Sequence, residues 1–329
     1  MKSTGSRWLW LAGCSVAMLC AVVCGSAGTM GGELDRIAET GMFRLGLRND
    51  VRPFAYVDED GRPVGFCVDM AQLLALKLSE YADRTIDTVI VPITSTDRLE
   101  RVASGDAAIE MGASTHNAVR DLVVDFSLPY FLSGTTFVVR AGEGIDALTD
   151  LAGKVVCATD GTTNLPALEA AAADGRLAPA SIAVSQSHAQ GMAWLDEGRI
   201  DAYFTDTVLL LAMRAEAARP DDYVIVQESI HAEPYGWILP EDDSDWRDFV
   251  DGFLIWTLQA SCADEMVVLE SLGILTAAPG SPGSVFDAVY DKWFGPESST
   301  PVARSGEFDA LLSAMQWPDV LDVWPGRHE

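Results

Sequence analysis

Positive charge is scarce in this 329-residue chain: 22 Lys and Arg stand against 49 Asp and Glu, a formal net charge of −27. Such a field repels polyanions, which argues against nucleic acid and anionic membrane surfaces as partners. Acidity of this kind also serves solubility or salt tolerance, so by itself it assigns no activity. Long apolar runs are missing as well. Beyond the first residues no segment approaches the roughly 18 uninterrupted apolar residues of a membrane span. Catalytic vocabulary is thin. There are four His (His116, His188, His231, His328) and no His-Glu-x-x-His pair, Gly-x-Ser-x-Gly elbow, phosphate loop or Gly-x-Gly-x-x-Gly. These gaps weigh against an enzyme, and neither a cofactor nor a metal is expected.

The N-terminus reads as an export signal. Lys2 and Arg7 precede an apolar run from Trp8 to Val23, followed by the small residues Gly25, Ser26 and Ala27. Cleavage after Ala27 makes residues 1–27 the signal peptide. The rival is a lipid-modified Cys14 within Leu11-Ala12-Gly13-Cys14, but the apolar stretch before it is short for a signal core. Cys14, Cys20 and Cys24 fall in this leader, leaving Cys67, Cys157 and Cys262, enough for one disulfide at most. Their wide, irregular spacing is not that of a metal site, and buried small apolar residues is the plainer reading.

Extended and helical runs alternate after the leader, the pattern of an α/β protein. Met42–Leu47 and Phe54–Val57 read as strands, and Met70, Leu73, Leu74 and Leu78 as one apolar helix face. Thr85–Ile93 reads as a buried strand, and Arg98–Ser104 as a helix stopping at Gly105. A second alternation begins near Asp146, with strands at Lys154–Ala158 and Asp201–Phe204 and helices at Leu165–Ala173 and Gly191–Glu197. Trp246, Phe249, Val250 and Phe253 mark a later amphipathic helix. Extended crossings near residues 135–140 and 233–239 would join two units around a cleft, where small ligands bind by preference.

Basic and hydroxyl residues cluster where strands give way to helices. Arg48 follows the first strand; Ser95 and Arg98 lie in Ile93–Arg98; Thr115 and Arg120 lie in Gly112–Arg120; Gly161-Thr162-Thr163 follows the strand ending near Ala158. Free N–H groups at helix starts favour anions, and such loops gather at the carboxyl edge of an open α/β sheet. Each residue also has a plainer explanation. A Thr or Asp at a helix start, including Thr163 and Asp206, is by default a cap, and a surface Arg by default pairs with a nearby carboxylate. His188 alone would pass for a polar residue opening a helix.

Taken together, the segments resemble the periplasmic glutamate/aspartate-binding proteins of amino-acid ABC importers, within the type II solute-binding superfamily. The likeness runs from about Gly41 to Phe294. It rests on Pro92-Ile93-Thr94-Ser95-x-x-Arg98, Gly112–Arg120, Asp160-Gly161-Thr162-Thr163, Leu195-x-x-Gly198-Arg199, Asp206 with the leucines after it, Tyr235-Gly236 and Asp291-Lys292-Trp293-Phe294. The resemblance implies an α/β fold of the periplasmic-binding-protein type II class, two α/β lobes joined by two hinge strands. It divides the chain into lobe 1 at 34–138, lobe 2 at 139–234, and a return to lobe 1 with C-terminal helices at 235–329.

It also implies a ligand set. Arg120, Thr115 and Thr163 would meet the α-carboxylate and Asp206 the ammonium group; Arg48, Arg98, Ser95 and His188 would hold a side-chain carboxylate. Two departures stand out. Ala113 replaces a Ser that relatives place near the ammonium, leaving its carbonyl to accept, and Asp160 replaces a small residue close to the anion site. The partners so implied are glutamate or aspartate and the membrane subunits of an ABC importer, with the protein a periplasmic or extracytoplasmic monomer. Two alternatives share the fold: a periplasmic dehydratase of a prephenate-like acid, with Asp206 or His188 as general acid or base, and a ligand-sensing subunit for a separate receptor.

Overall fold

The computed structural model describes residues 31–226, 228–275 and 283–315. The leader with its cleavage site after Ala27 and candidate lipid-bearing Cys14, His328, and the end of the C-terminal segment lie outside the described residues. From Gly32 onward the chain forms one compact unit. Among the described residues no helix is long and apolar enough to cross a membrane, and Cys67, Cys157 and Cys262 are all free and buried.

Two sheets organise the fold. In the first, strand Met42–Leu47 runs parallel to both Asp87–Pro92 and Ile109–Glu110, and the antiparallel pair Ile238–Leu239 and Asp125–Phe126 completes it. In the second, Val155–Thr159 pairs in parallel with Ser181–Ser185 and Ala202–Asp206, while the long strand Phe131–Arg140 runs antiparallel to Ala202–Asp206 and Tyr223–Ile225. Helices follow the strands, as parallel crossovers require. Helix Phe66–Tyr81 buries Met70, Leu73, Leu74 and Leu78 against the first sheet's core, the face its periodicity predicts. Helix Ser244–Gln259 likewise buries Trp246, Phe249, Val250 and Phe253. The second sheet carries separate apolar clusters, one around Phe137 and Phe204, the other around Val138 and Tyr203. That division follows from side chains alternating between sheet faces.

Two expectations change here. The run Thr85–Ile93 forms strand Asp87–Pro92, but at the end of its sheet, with Val89 and Ile90 42% and 40% exposed. Its β-branched residues reflect the geometry of a strand, not burial on both faces. The crossings also sit elsewhere. Residues 135–140 pair wholly within the second sheet, whereas 131–134 pair antiparallel with returning strand Ala232–Tyr235. The changeover between partner strands therefore falls at 131–134 and 232–235, ahead of the crossing expected near 135–140.

Helix Val285–Phe294 closes back on the first sheet's layer. Lys292 Nζ lies 2.7 Å from Asp69 Oδ2, and Trp293 Nε1 donates to the same oxygen at 2.6 Å. The Asp-Lys-Trp-Phe segment thus anchors this helix to helix Phe66–Tyr81.

Candidate functional site

Where strands of both sheets end, their loops converge on a narrow, partly open cavity with room for little more than a water molecule, about 10 Å³. Eight of the nine residues singled out from sequence line it: Arg48, Arg98, Ala113, Thr115, Arg120, Thr163, His188 and Asp206. Ser95 is the exception. It is buried, but its contribution is a backbone carbonyl that accepts from Arg98 Nη1 at 2.5 Å. Asp160 does not line the cavity either; its Oδ1 accepts the N–H of Gly161 at 2.8 Å.

The guanidinium groups come from loops that follow the first sheet's strands. Arg98 is the first residue of helix Arg98–Ala103, and Arg120 opens a short 3-10 turn whose N–H groups are held by Asn117 Oδ1. Arg120 Nη1 donates to the Thr115 carbonyl at 2.8 Å. Arg98 Nη2 and Arg120 Nη2 then reach across to a single acceptor, the carbonyl of Gly161, at 3.1 and 3.4 Å. Gly161 has φ +70°, and a Cβ on it would stand 2.5 Å from the Ser95 carbonyl oxygen. Only glycine fits this close approach of the two loops.

From the second sheet come two residues at helix N-caps whose side chains do not cap. Thr163 precedes helix Asn164–Ala173 and Asp206 precedes Thr207–Glu216, yet neither makes a side-chain capping hydrogen bond. Instead Thr163 Oγ1 lies 3.4 Å from Thr115 Oγ1 and donates to Glu233 Oε2 at 3.1 Å. Asp206 accepts from Asn164 Nδ2 at 3.0 Å and from the Tyr235 hydroxyl at 2.5 Å. The default explanation for both residues fails, since each side chain turns into the cavity. His188 does open a helix, His188–Asp196, but is buried; its Nδ1 lies 2.7 Å from the Tyr203 hydroxyl, which in turn lies 2.7 Å from Thr159 Oγ1.

Burial governs the charges. Desolvation, and then the neighbouring Arg120 and Arg48, hold the Arg98 guanidinium down to about 9. Desolvation lowers Arg120 as well, although Glu233, Glu110 and Asp206 oppose it. Burial and the nearby Arg48 push His188 down to about 3, so its imidazole is neutral at physiological pH. Asp206 is raised to about 7, by desolvation first and by Glu233 second. Clustered cations that weaken one another mark a site built to receive an anion. Asp206, beside another carboxylate, gains most from a cation.

Several members escape a reading of sequence alone. Asp50 grips Arg48 bidentately, with Nε to Oδ1 at 2.9 Å and Nη2 to Oδ2 at 3.1 Å. Glu110 is fully buried near Arg98 and Ser114, and burial raises its pKa against the pull of Arg98. Glu233, 1% exposed, lies between Thr163 and His231, whose Nε2 is 2.5 Å away. The expected tally of three Arg and a His against one Asp is therefore too positive: His188 is neutral, and Asp50, Glu110 and Glu233 add carboxyl groups. A signal for Asp50 existed in its spacing, because residues i and i+2 of an extended segment share a face. Glu110 was marked by standing alone among apolar neighbours from Ala107 to Met111.

With the geometry in place, similarity to known proteins becomes informative. Residues 43–263 match the bacterial extracellular solute-binding proteins, family 3. An L-glutamate/L-aspartate-binding protein of Pseudomonas aeruginosa is 33% identical over 226 residues, 67% of this chain and 73% of that relative. A glutamate/aspartate import solute-binding protein of Salmonella typhimurium is 29% identical over 222 residues, again 67% and 73%. Among solved structures, holo ArgBP from T. maritima superposes with a TM-score of 0.61 at 30% identity, covering 72% of this chain and 98% of that one.

Proposed function

Because this chain belongs to the bacterial extracellular solute-binding proteins, family 3, we propose that it captures glutamate or aspartate outside the cytoplasm and delivers it to an ABC importer. One observation carries the choice of ligand. The cavity joins three buried guanidinium groups to one buried Asp whose ionisation awaits a cation. An amino acid with a second carboxylate supplies both complements, and planar guanidinium forks match carboxylates in shape.

In this reading Arg120, Thr115 and Thr163 bind the α-carboxylate, Asp206 binds the ammonium group, and Arg98 and Arg48 face the side chain. His188 acts as a neutral hydrogen-bonding group. Ser95 supports Arg98 through its carbonyl. Arg48, Arg98, Thr115 and Arg120 belong to one lobe and Thr163, His188 and Asp206 to the other. A ligand touching both sets stabilises the closed form, with movement about residues 131–134 and 232–235. Residues 1–27 serve as the export signal, and the protein works as a monomer.

The enzymatic alternative fits less well. It would use Asp206 or His188 as general acid or base, whereas the similar curated proteins are named as binding proteins. Calorimetric titration of the purified protein with the common amino acids tests the proposal. Saturable 1:1 binding of glutamate or aspartate supports it. Turnover of a prephenate-like acid without amino-acid binding overturns it.

A further inference from the structure

We propose that Asp50 is a specificity-determining residue that neutralises Arg48 from outside the cavity, leaving Arg98, which no carboxylate hydrogen-bonds, to meet a ligand's side-chain carboxylate. The inference rests on the acidic amino-acid reading above and sharpens it. Asp50 holds Arg48 through two parallel N–H···O bonds, the arrangement a bound carboxylate would itself adopt. The Arg48 side chain is 2% exposed, so water cannot share its charge, whereas that of Asp50 is 22% exposed and reaches Arg48 from outside the cavity. Asp50 lines the larger open cleft beside the cavity, together with Asn49, Arg52 and Tyr56; His188 lines both spaces and stands in the wall between them.

The start of helix His188–Asp196 stands on a second side of the carboxylate and favours its charged form. Arg48 and that helix start together keep Asp50 ionised, with its pKa below the usual carboxylate value despite burial. Arg98 is placed differently. Its hydrogen bonds go to the carbonyls of Ser95 and Gly161, and its Nε has no partner among the described residues. A side-chain carboxylate would therefore find full charge at Arg98 and mainly hydrogen-bond donors at Arg48. It would also feel repulsion from Asp50, which a side-chain amide escapes.

The test is calorimetry of the purified protein and of Asp50→Asn with L-glutamate and L-glutamine. Asn keeps the size of Asp and one acceptor for Arg48 and removes only the charge. Glutamate affinity is expected to rise at least about tenfold while glutamine changes less than about threefold, as for removal of a like charge near a buried site. Asp50→Ser, with a matching thermal-unfolding midpoint as a check on folding, should shift the ratio in the same direction. A glutamate-to-glutamine ratio that stays the same or falls in both variants overturns the inference while leaving the binding function intact. Equal loss of both ligands does so too, because it would make Asp50 a latch between lobes. If neither wild type nor variants bind any amino acid, the function reading fails and this inference fails with it.

Discussion

The two ends of the cavity solve the same problem, holding charge away from water, in opposite ways. At the end formed by Thr115, Thr163, Arg120 and Asp206, opposite charges come from different loops and are hydrogen-bonded by neutral groups. The two Thr hydroxyls approach each other at 3.4 Å, and Arg120 spends its hydrogen bonds on carbonyls. At the end formed by Arg48 and His188, the charge is settled internally: Arg48 is matched by Asp50, and His188 is neutral against Tyr203. On the proposed function, the open end would take the zwitterion common to all amino acids, and the other end, modulated by Arg98, would select among side chains.

The comparison breaks most visibly at Arg120. Arg120→Ala should weaken every amino acid by ~2–5 kcal/mol, roughly 30- to several-thousand-fold, because it strips the α-carboxylate of its buried partner. A calorimetric loss confined to acidic ligands would place Arg120 at the wrong end. Asp206→Asn should come next, costing ~2–3 kcal/mol for all ligands through loss of a charged hydrogen bond to the ammonium group.

The same residue predicts a pH effect. Burial, and then Glu233, push Asp206 up to about 7. The ligand's ammonium requires the ionised form, so binding releases a proton below that pH. Affinity should then fall about tenfold for each pH unit below 7, with little change above it. Titrations in buffers of different ionisation enthalpy would register the released proton, and Asp206→Asn should flatten the profile. At the selective end, Arg98→Ala should cost glutamate ~1.5–3 kcal/mol and glutamine under ~1 kcal/mol. Equal losses would remove Arg98 from side-chain recognition. Smallest of all, Tyr203→Phe should weaken binding by under ~1 kcal/mol, as it frees the His188 ring without touching a charge.

Most of this arrangement was legible in the chain. Helical spacing at Met70, Leu73, Leu74 and Leu78 and the strand at Met42–Leu47 carried the first layer, and basic or hydroxyl residues at strand-to-helix transitions named Arg48, Arg98, Thr115, Arg120 and Thr163 in the cavity lining, with Ala113, His188 and Asp206 added by the family resemblance. What stayed hidden concerns burial and charge balance. In a chain with 49 acidic residues, Glu233 looks like solvated surface until the fold encloses it, and Asp50 does so until it is seen to grip Arg48. Thr85–Ile93 misled for a related reason, since a β-branched run fixes strand geometry but not whether a neighbour covers its edge. The crossing was misplaced because Phe131–Arg140 is one continuous strand that changes partner along its length, with no break at the changeover.

A crystal structure with L-glutamate bound would test the central claim most directly. The predicted result is an α-carboxylate within hydrogen-bond distance of Arg120, Thr115 and Thr163, an ammonium group on Asp206, and the side-chain carboxylate on Arg98 with Asp50 still paired to Arg48. A ligand lying in the open cleft beside Tyr56 and Met192, or reversed so that its ammonium group faces Arg48, would contradict the account.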